Sequence, residues 1–329
     1  MTNTNSILLT IDVEDWFQVE NFKQCIPFSS WQDCELRVEK NTHRLLDLLD
    51  SVNLHSTSAA RVVRQNSGAQ SASEPRTNNP GPRIYATFFV LGWIAERLPN
   101  LIREIHIRGH EVASHGYHHN LCSQQSGSTL KKDLTDSKKL LEDVVGWPIV
   151  GYRAPSFSIN NDILKIVQDC GYIYDSSFNS FGLHNRYGRV VLPQYGNIGI
   201  ACQVSHTFYE LPISNLTLFN FVVPWGGGGY FRLLPSHVFS LGVQSILDKK
   251  KAFLLYLHPW ELDPDQPRVI DVPKLLKFRH YINLDKTVSK LSHLIQTFKQ
   301  CSFSTCRQYI NKVTNAVEGN TNPLLTNEH

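Results

Sequence analysis

Seven short runs of β-branched and aromatic residues recur along the chain, and several of them stop abruptly in a burst of Asp, Glu, His or Arg. The runs are Ile7 to Ile11, Ile84 to Leu91, Glu111 to Ala113, Ile149 to Tyr152, Tyr172 to Tyr174, Tyr209 to Leu211 and Phe253 to Leu257. Segments of helical period separate them. Glu35 to Val52 sets Leu45, Leu46, Leu48 and Leu49 on an apolar face, while Leu101 to Arg108, Thr129 to Val145 and Asp162 to Cys170 each end at a glycine, Gly109, Gly146 and Gly171. Strands alternating with helices in this way predict βα units around a parallel sheet. In a βα barrel the C-terminal strand ends share one face, and that face carries the chemistry.

A chain of 329 residues accommodates one such barrel with insertions. Hydrophobic residues at 41% supply a sizeable core and exclude a disordered or fibrous chain. With 32 basic against 29 acidic residues and no basic stripe, nucleic acid is excluded as a partner. The apolar run Ile7 to Ile11 is too short for a signal segment or a membrane span, so the expected location is cytoplasmic. The 7 cysteines are odd in number and form no CxxC pair, which reads as mostly buried thiols in a reducing compartment. His55 to Arg83 is rich in Ser, Asn, Gln, Ala, Pro and Arg and reads as a disordered surface insertion in a barrel spanning 1–313, followed by a polar tail over 314–329.

Five strand ends carry the candidate chemistry: Asp12-Val13-Glu14-Asp15-Trp16, Ser114-His115-Gly116-Tyr117-His118-His119, Gly151 to Phe157, Asp175-Ser176-Ser177, and Leu257-His258-Pro259-Trp260-Glu261. His115 and His119, with one carboxylate from the first cluster, would give two imidazoles and one oxygen and leave positions open for water and substrate. That is the donor set of a hydrolytic metal site. Three carboxylates within four residues directly after an apolar strand are costly without a cation, although Asp and Glu also stabilise helix N-termini. Gly116 and Tyr117 stand where a zincin helix and its Glu would be, so a peptidase is disfavoured, and His118 points away from the site. His258 next to Pro259 could equally be a core histidine. Gly226 to Gly229 has no GK[ST] after it and reads as a flexible rim loop with aromatic walls.

Taken in order, LTIDVEDW, ATFFVLGWIAERLP, GHEVASHGYHH, GYRAPSFSI, YDSSF, GGGGYFRLLP and YLHPWELDP resemble the polysaccharide deacetylase family, the NodB homology domain of carbohydrate esterase family 4. Within it the chain is most similar to the branch found with exosortase and PEP-CTERM exopolysaccharide loci, where DVEDW replaces the commoner TFDDG. The resemblance implies an α/β fold, a distorted (β/α) barrel of about seven strands, and divalent-metal-dependent removal of N-acetyl groups from a glycan. The metal it implies is zinc first, with cobalt or nickel as alternatives. By motif, Asp12 matches the catalytic base, His115 and His119 the metal histidines, Arg153 the arginine that orients the base, and His258 the general acid. Val13 stands where the family has its second aspartate, so the metal carboxylate is Glu14 or Asp15, with Glu14 favoured because strand alternation returns it to the face of Asp12. No clear counterpart exists of the aspartate that tunes the acid histidine; Asp175 or Glu261 could serve.

Trp16, Pro155, Tyr230 and Trp260 are the expected substrate contacts, with Trp93 and Trp225 as further stacking candidates. The implied partner is an N-acetylated polysaccharide or a lipid-linked oligosaccharide. Two competing readings are an allantoinase-like hydrolase of cyclic amides and a glycan-binding barrel that has lost catalysis.

Overall fold

The chain is described here by a computed structural model that covers residues 4–65, 83–182, 187–192, 197–219 and 221–320. Among these residues the strands are β1 (Ser6–Val13), β2 (Ala86–Val90), β3 (Glu111–Ser114), β4 (Gly151–Tyr152), β5 (Tyr174–Asp175), β6 (Asn197–Ile198), β7 (Ala201–Ser205), β8 (Phe208–Glu210), β9 (Asn215–Leu218), β10 (Phe221–Pro224), β11 (Ala252–Leu257) and β12 (Ser302–Phe303). Seven of them run parallel in the order β11-β1-β2-β3-β4-β5-β8, and they are the seven runs expected from sequence. β7 and β6 extend this sheet antiparallel beyond β8, and β9 with β10 forms a separate hairpin.

β1 is the central strand and is buried along its whole length. One edge pairs with β11 from Ser6 to Ile11; the other pairs with β12 at Ser6 and Ile7 and with β2 from Leu9 to Val13. Its residues alternate between two environments, as a strand's must. Ile7, Leu9, Ile11 and Val13 join Leu45, Leu46 and Leu49 of the helix Val38–Gln65 in the core between sheet and helices. Leu8 faces the inside of the curl, with Phe89, Leu254, Tyr309 and Ile310. The last two come from the helix Cys306–Asn320, which fills the curl below the site and continues past residue 313. Burying these paired rows removes each large apolar side chain from water at about 1.5–3 kcal/mol apiece.

The sheet curls without closing by a direct ladder between β8 and β11. Backbone at Gly226 fills that seam: its N–H donates to the Ser214 carbonyl at 2.6 Å, and its carbonyl accepts from the Tyr256 N–H at 2.8 Å. The Ser214 hydroxyl accepts from the Leu254 N–H at 2.8 Å. Gly226, Gly227 and Gly228 are therefore a buried structural seam, because an inserted backbone leaves no room for side chains, and of the expected rim loop only Gly229 is exposed. A Cβ on Gly226 would lie 2.6 Å from the Leu254 carbonyl oxygen and 2.7 Å from that of Ser214.

Two other expectations change. The helix from Val38 runs to Gln65, so residues 55–65 of the expected insertion are helical; residues 66–82 lie outside the described residues. Cys122, Cys301 and Cys306 are buried, but Cys34, Cys170 and Cys202 are only partly so and Cys25 is exposed. No described helix is long and apolar enough to cross a membrane.

Gly226→Ala tests the seam. Overpacking against two fixed carbonyls should lower unfolding free energy by about 1–3 kcal/mol, read by denaturant titration, whereas Gly229→Ala, whose Cβ would meet nothing within 4 Å, should be near neutral.

Candidate active site

Glu14, His115 and His119 come together just beyond the C-terminal ends of β1 and β3, each offering a donor atom, and these atoms all lie within 4.8 Å of one another. All three side chains are buried. The Gly116–His118 turn brings His119 back over His115. Gly116 sits at φ 73° and His119 at φ 54°, in the left-handed region that non-glycine residues rarely adopt. The His115 Nδ1–H donates to the Arg153 carbonyl at 2.8 Å, so its Nε2 lone pair is the one left for the site. Burial pushes both imidazoles below their ordinary range, His119 to about 4, and both are neutral near pH 7.

Glu14 is the anion of the group. Its Oε1 lies 3.0 Å from His258 Nε2 and its Oε2 lies 3.4 Å from His119 Nε2. Oε2 is buried without a hydrogen-bond partner. Burial alone would raise this carboxyl, but the His119 and His258 imidazoles outweigh it and bring it down to about 2. An ionised, desolvated carboxylate beside two neutral imidazole lone pairs is a donor set that fits a divalent cation.

Asp12, one inward position before Glu14, is gripped by Arg153, whose Nη1 donates to Oδ1 at 2.7 Å and to the Thr10 hydroxyl at 2.9 Å. Arg153 is fully buried; it also donates to the Ser176 carbonyl and hydroxyl, both at 2.8 Å, and lies 4.1 Å over the Phe89 ring. The other Asp12 oxygen, Oδ2, lies 3.9 Å from His258 Nε2. His258 Nδ1 contacts Glu261 Oε1 at 2.7 Å, and the second Glu261 oxygen accepts from Arg232 Nε at 2.7 Å. Burial would lower His258, but the Glu14 and Glu261 carboxylates outweigh it and hold it up at about 10. Arg232 is itself fixed by the carbonyls of Arg279, His280 and Ile282.

Asp12, Glu14, His115, His119, His258 and Trp260 all line one pocket, with Arg153 directly behind Asp12. Four other expected site residues do not line it. Asp15 is turned the opposite way: its carboxylate accepts from the N–H groups of Trp16, Arg37 and Val38, at 2.8, 2.6 and 2.8 Å, capping the start of the helix Val38–Gln65. Its Oδ atoms are thus spent on backbone donors. Trp16 is buried with its indole N–H on the Glu35 carbonyl at 3.1 Å, Pro155 is buried, and Tyr230 is outside the lining, which its neighbour Gly229 reaches. Trp93 and Trp225 are core residues. His118 packs edge-on against Phe28, 4.5 Å between centroids. Of the two partners weighed for His258, Glu261 makes the contact; Asp175 accepts from Ser177 and sits beside Glu210.

Arg232, Tyr187, Tyr256, Arg279 and His280 line the pocket without having been expected there. Glu261, already weighed as the partner of His258, carried a further signal: three residues after His258 in H-P-W-E, its carboxylate accepts from the His258 N–H at 3.1 Å, a capping arrangement readable from spacing. Arg232 had none, being a lone cation in an apolar helix.

Residues 82–174 match the family model for polysaccharide deacetylase, and residues 176–311 match a model described as a domain of unknown function (DUF3473). Residues 82–174 are thus similar to a polysaccharide deacetylase domain. Among curated relatives, a peptidoglycan-N-acetylglucosamine deacetylase of Bacillus cereus is 34% identical over 87 residues, 26% of this chain and 40% of that protein. A peptidoglycan deacetylase of Helicobacter pylori is 29% identical over 114 residues, 35% of this chain and 36% of that protein. In both cases the likeness spans less than half of either protein. The fold itself resembles a Mycobacterium smegmatis chain assigned as a polysaccharide deacetylase, at TM-score 0.57 and 21% identity over 95% of this chain and 91% of that one. It also resembles the allantoinase Puue, at TM-score 0.53 and 12% identity over 93% and 89%.

If the donor set holds a cation, His115→Ala, His119→Ala and Glu14→Gln should each weaken zinc or cobalt binding by more than the roughly 10–100-fold that loss of a supporting residue costs. His118→Ala and Asp15→Asn should keep the metal, Asp15→Asn losing about 1–3 kcal/mol of stability instead. Metal analysis after dialysis decides, and retention by Glu14→Gln with loss from Asp15→Asn would move the ligand to Asp15.

Proposed function

We propose that this protein is a metal-dependent hydrolase that removes N-acetyl groups from a glycan, acting in exopolysaccharide synthesis or modification of the kind the DVEDW branch serves. The observation that carries the reading is the buried, partnerless Glu14 Oε2, set between His115 and His119 and flanked by Asp12 on one side and His258 on the other. The likeness to the B. cereus and H. pylori peptidoglycan deacetylases supports it.

Glu14, His115 and His119 would hold a divalent cation, which when bound would polarise the acetamide carbonyl and make a water more acidic. The chain's own groups do the rest. Arg153 fixes Asp12 by one oxygen and leaves Oδ2 toward the pocket, placed to take the proton of the attacking water. As the C–N bond breaks, His258 donates the proton on Nε2 to the departing nitrogen, so that acetate and a free amine leave. Glu261 holds the opposite ring nitrogen and keeps Nε2 aimed inward, and Arg232 keeps Glu261 ionised. Trp260 forms the wall beside His258, the two rings stacked 5.1 Å apart.

Release of acetate from a panel of N-acetylated oligosaccharides, with and without chelator, tests the reading. Asp12→Asn should keep its metal and lose turnover by roughly 10²- to 10⁴-fold. Opening of a cyclic ureide with no acetate release would assign the chain to the allantoinase-like reading. Glycan binding that survives Asp12→Asn with no acetate released from wild type would leave a binding barrel.

A further inference from the structure

Behind Arg153 two acids stand side by side. β5 and β8 run parallel with Asp175 opposite Glu210, and both side chains are wholly buried. Among the described residues neither belongs to an ion pair. The titratable groups facing them are Arg153, Cys122 and Cys202. Arg153 is already ion-paired with Asp12. Burial raises the Cys122 thiol to about 12 and the Cys202 thiol to about 11, so neither carries charge near pH 7.

The two carboxyls hold the turn that follows β5. Asp175 accepts from the Ser177 N–H at 2.9 Å and from its hydroxyl at 2.8 Å. Glu210 Oε1 accepts from the N–H groups of Ser177 and Phe178 at 3.2 and 2.9 Å. That turn holds Arg153 in its place: Ser176 takes the Nε and Nη2 donors, and the Ser177 hydroxyl accepts from the Ala154 N–H at 2.7 Å. Both Asp175 oxygens and Glu210 Oε1 thus face N–H or O–H donors. Glu210 Oε2 is buried and meets no such donor. Two adjacent buried carboxyls do not both ionise, and the oxygen without a donor is where the retained proton belongs.

We propose that Glu210 is a positioning residue kept as the neutral acid, its Oε2 proton donated to Asp175, and that this shared proton locks the Ser176–Phe178 turn that holds Arg153 against Asp12. Burial and the Asp175 carboxylate together raise Glu210 well above the ordinary carboxyl range, as sharing requires. Without the proton, two anions would repel across β5 and β8. The turn would then release Arg153, and Asp12 would lose the grip that leaves Oδ2 toward the pocket.

Denaturant unfolding of the full chain at several pH values tests the proton. A proton kept by Glu210 in the fold and lost on unfolding makes the fold less stable as pH rises above the ordinary glutamate value. The unfolding constant of wild type relative to Glu210→Gln should therefore rise about tenfold per pH unit between about pH 6 and 8. Identical pH dependence in the two proteins overturns the shared proton. Acetate release tests the positioning, which rests on the deacetylase reading. Glu210→Ala should lose kcat by roughly 10- to 100-fold with KM and bound metal unchanged. Glu210→Gln, whose amide can donate to Asp175 from the same place, should restore kcat to within about twofold of wild type. Full activity in Glu210→Ala, or a Gln variant as impaired as Ala, overturns the positioning role. Should Glu210→Ala not fold, Ser177→Ala, which breaks the link from Asp175 to the Ala154 N–H, takes its place with the same expected loss. No acetate from wild type removes the deacetylase reading, while the unfolding measurement, which needs no turnover, still decides the pair.

Discussion

Arg153 is a guanidinium with no exposure to water, and the arrangement of the site follows from how it is satisfied. A buried cation is tolerable only when its donors are matched. Here they reach β1 through Thr10 and Asp12 and the end of β5 through Ser176, while the Phe89 ring of β2 covers the guanidinium face. The same residue's carbonyl takes the His115 Nδ1–H and so sets which imidazole nitrogen faces Glu14. One residue thereby orients the carboxylate suited to act as base and one metal-capable imidazole, and it ties together the strands that carry them. A lysine could not replace it, because three donors on a single nitrogen cannot fork toward β1 and β5 at once.

A second arginine repeats this logic on the opposite wall. Arg232 starts from the glycine seam, where the helix Gly228–Leu233 begins against Glu261; a Cβ on Gly228 would lie 2.1 Å from that carboxylate. The seam lets the helix approach, the helix brings Arg232, and Arg232 holds Glu261 against His258. Residues 82–174, matching the deacetylase model, supply His115, His119 and Arg153, while residues 176–311 supply Arg232, His258 and Glu261. Asp12 and Glu14 precede both. Residues 176–311 thus supply the part of the pocket that holds His258 and its supports.

Much of this was legible in the sequence, and the reasons for the rest are specific. Seven strands could be placed because each is a short apolar run flanked by turn chemistry, and Asp12, Glu14, His115, His119 and His258 could be placed because they follow those runs directly. Asp15 misled because a carboxylate next to a strand end looks the same whether it faces a pocket or caps a helix; the helix it caps begins 23 residues later, at Val38. The glycine run misled for a related reason. Four glycines announce an absence of side chains, and that absence serves mobility or close approach equally; only the neighbouring carbonyls of Ser214 and Leu254 decide which. Trp16, Trp93 and Trp225 are core because a large ring near a strand end is as easily buried beneath the site as exposed within it.

Charge pairing across the site explains why Glu14 differs from the other acids near it. Asp12 has Arg153, Glu261 has Arg232, and Asp263, farther back, has Arg37. Asp15 has three backbone donors in place of a cation. Glu14 has neither an arginine nor a backbone donor, only imidazoles, and of these His115 and His119 are held neutral by burial. The third, His258, is held charged and faces Oε1, so Oε2, beside the two neutral imidazoles, is the oxygen left open to a cation. That oxygen lies where Asp12, His258 and the pocket lining converge, so the open lone pairs and the groups able to move a proton share one point.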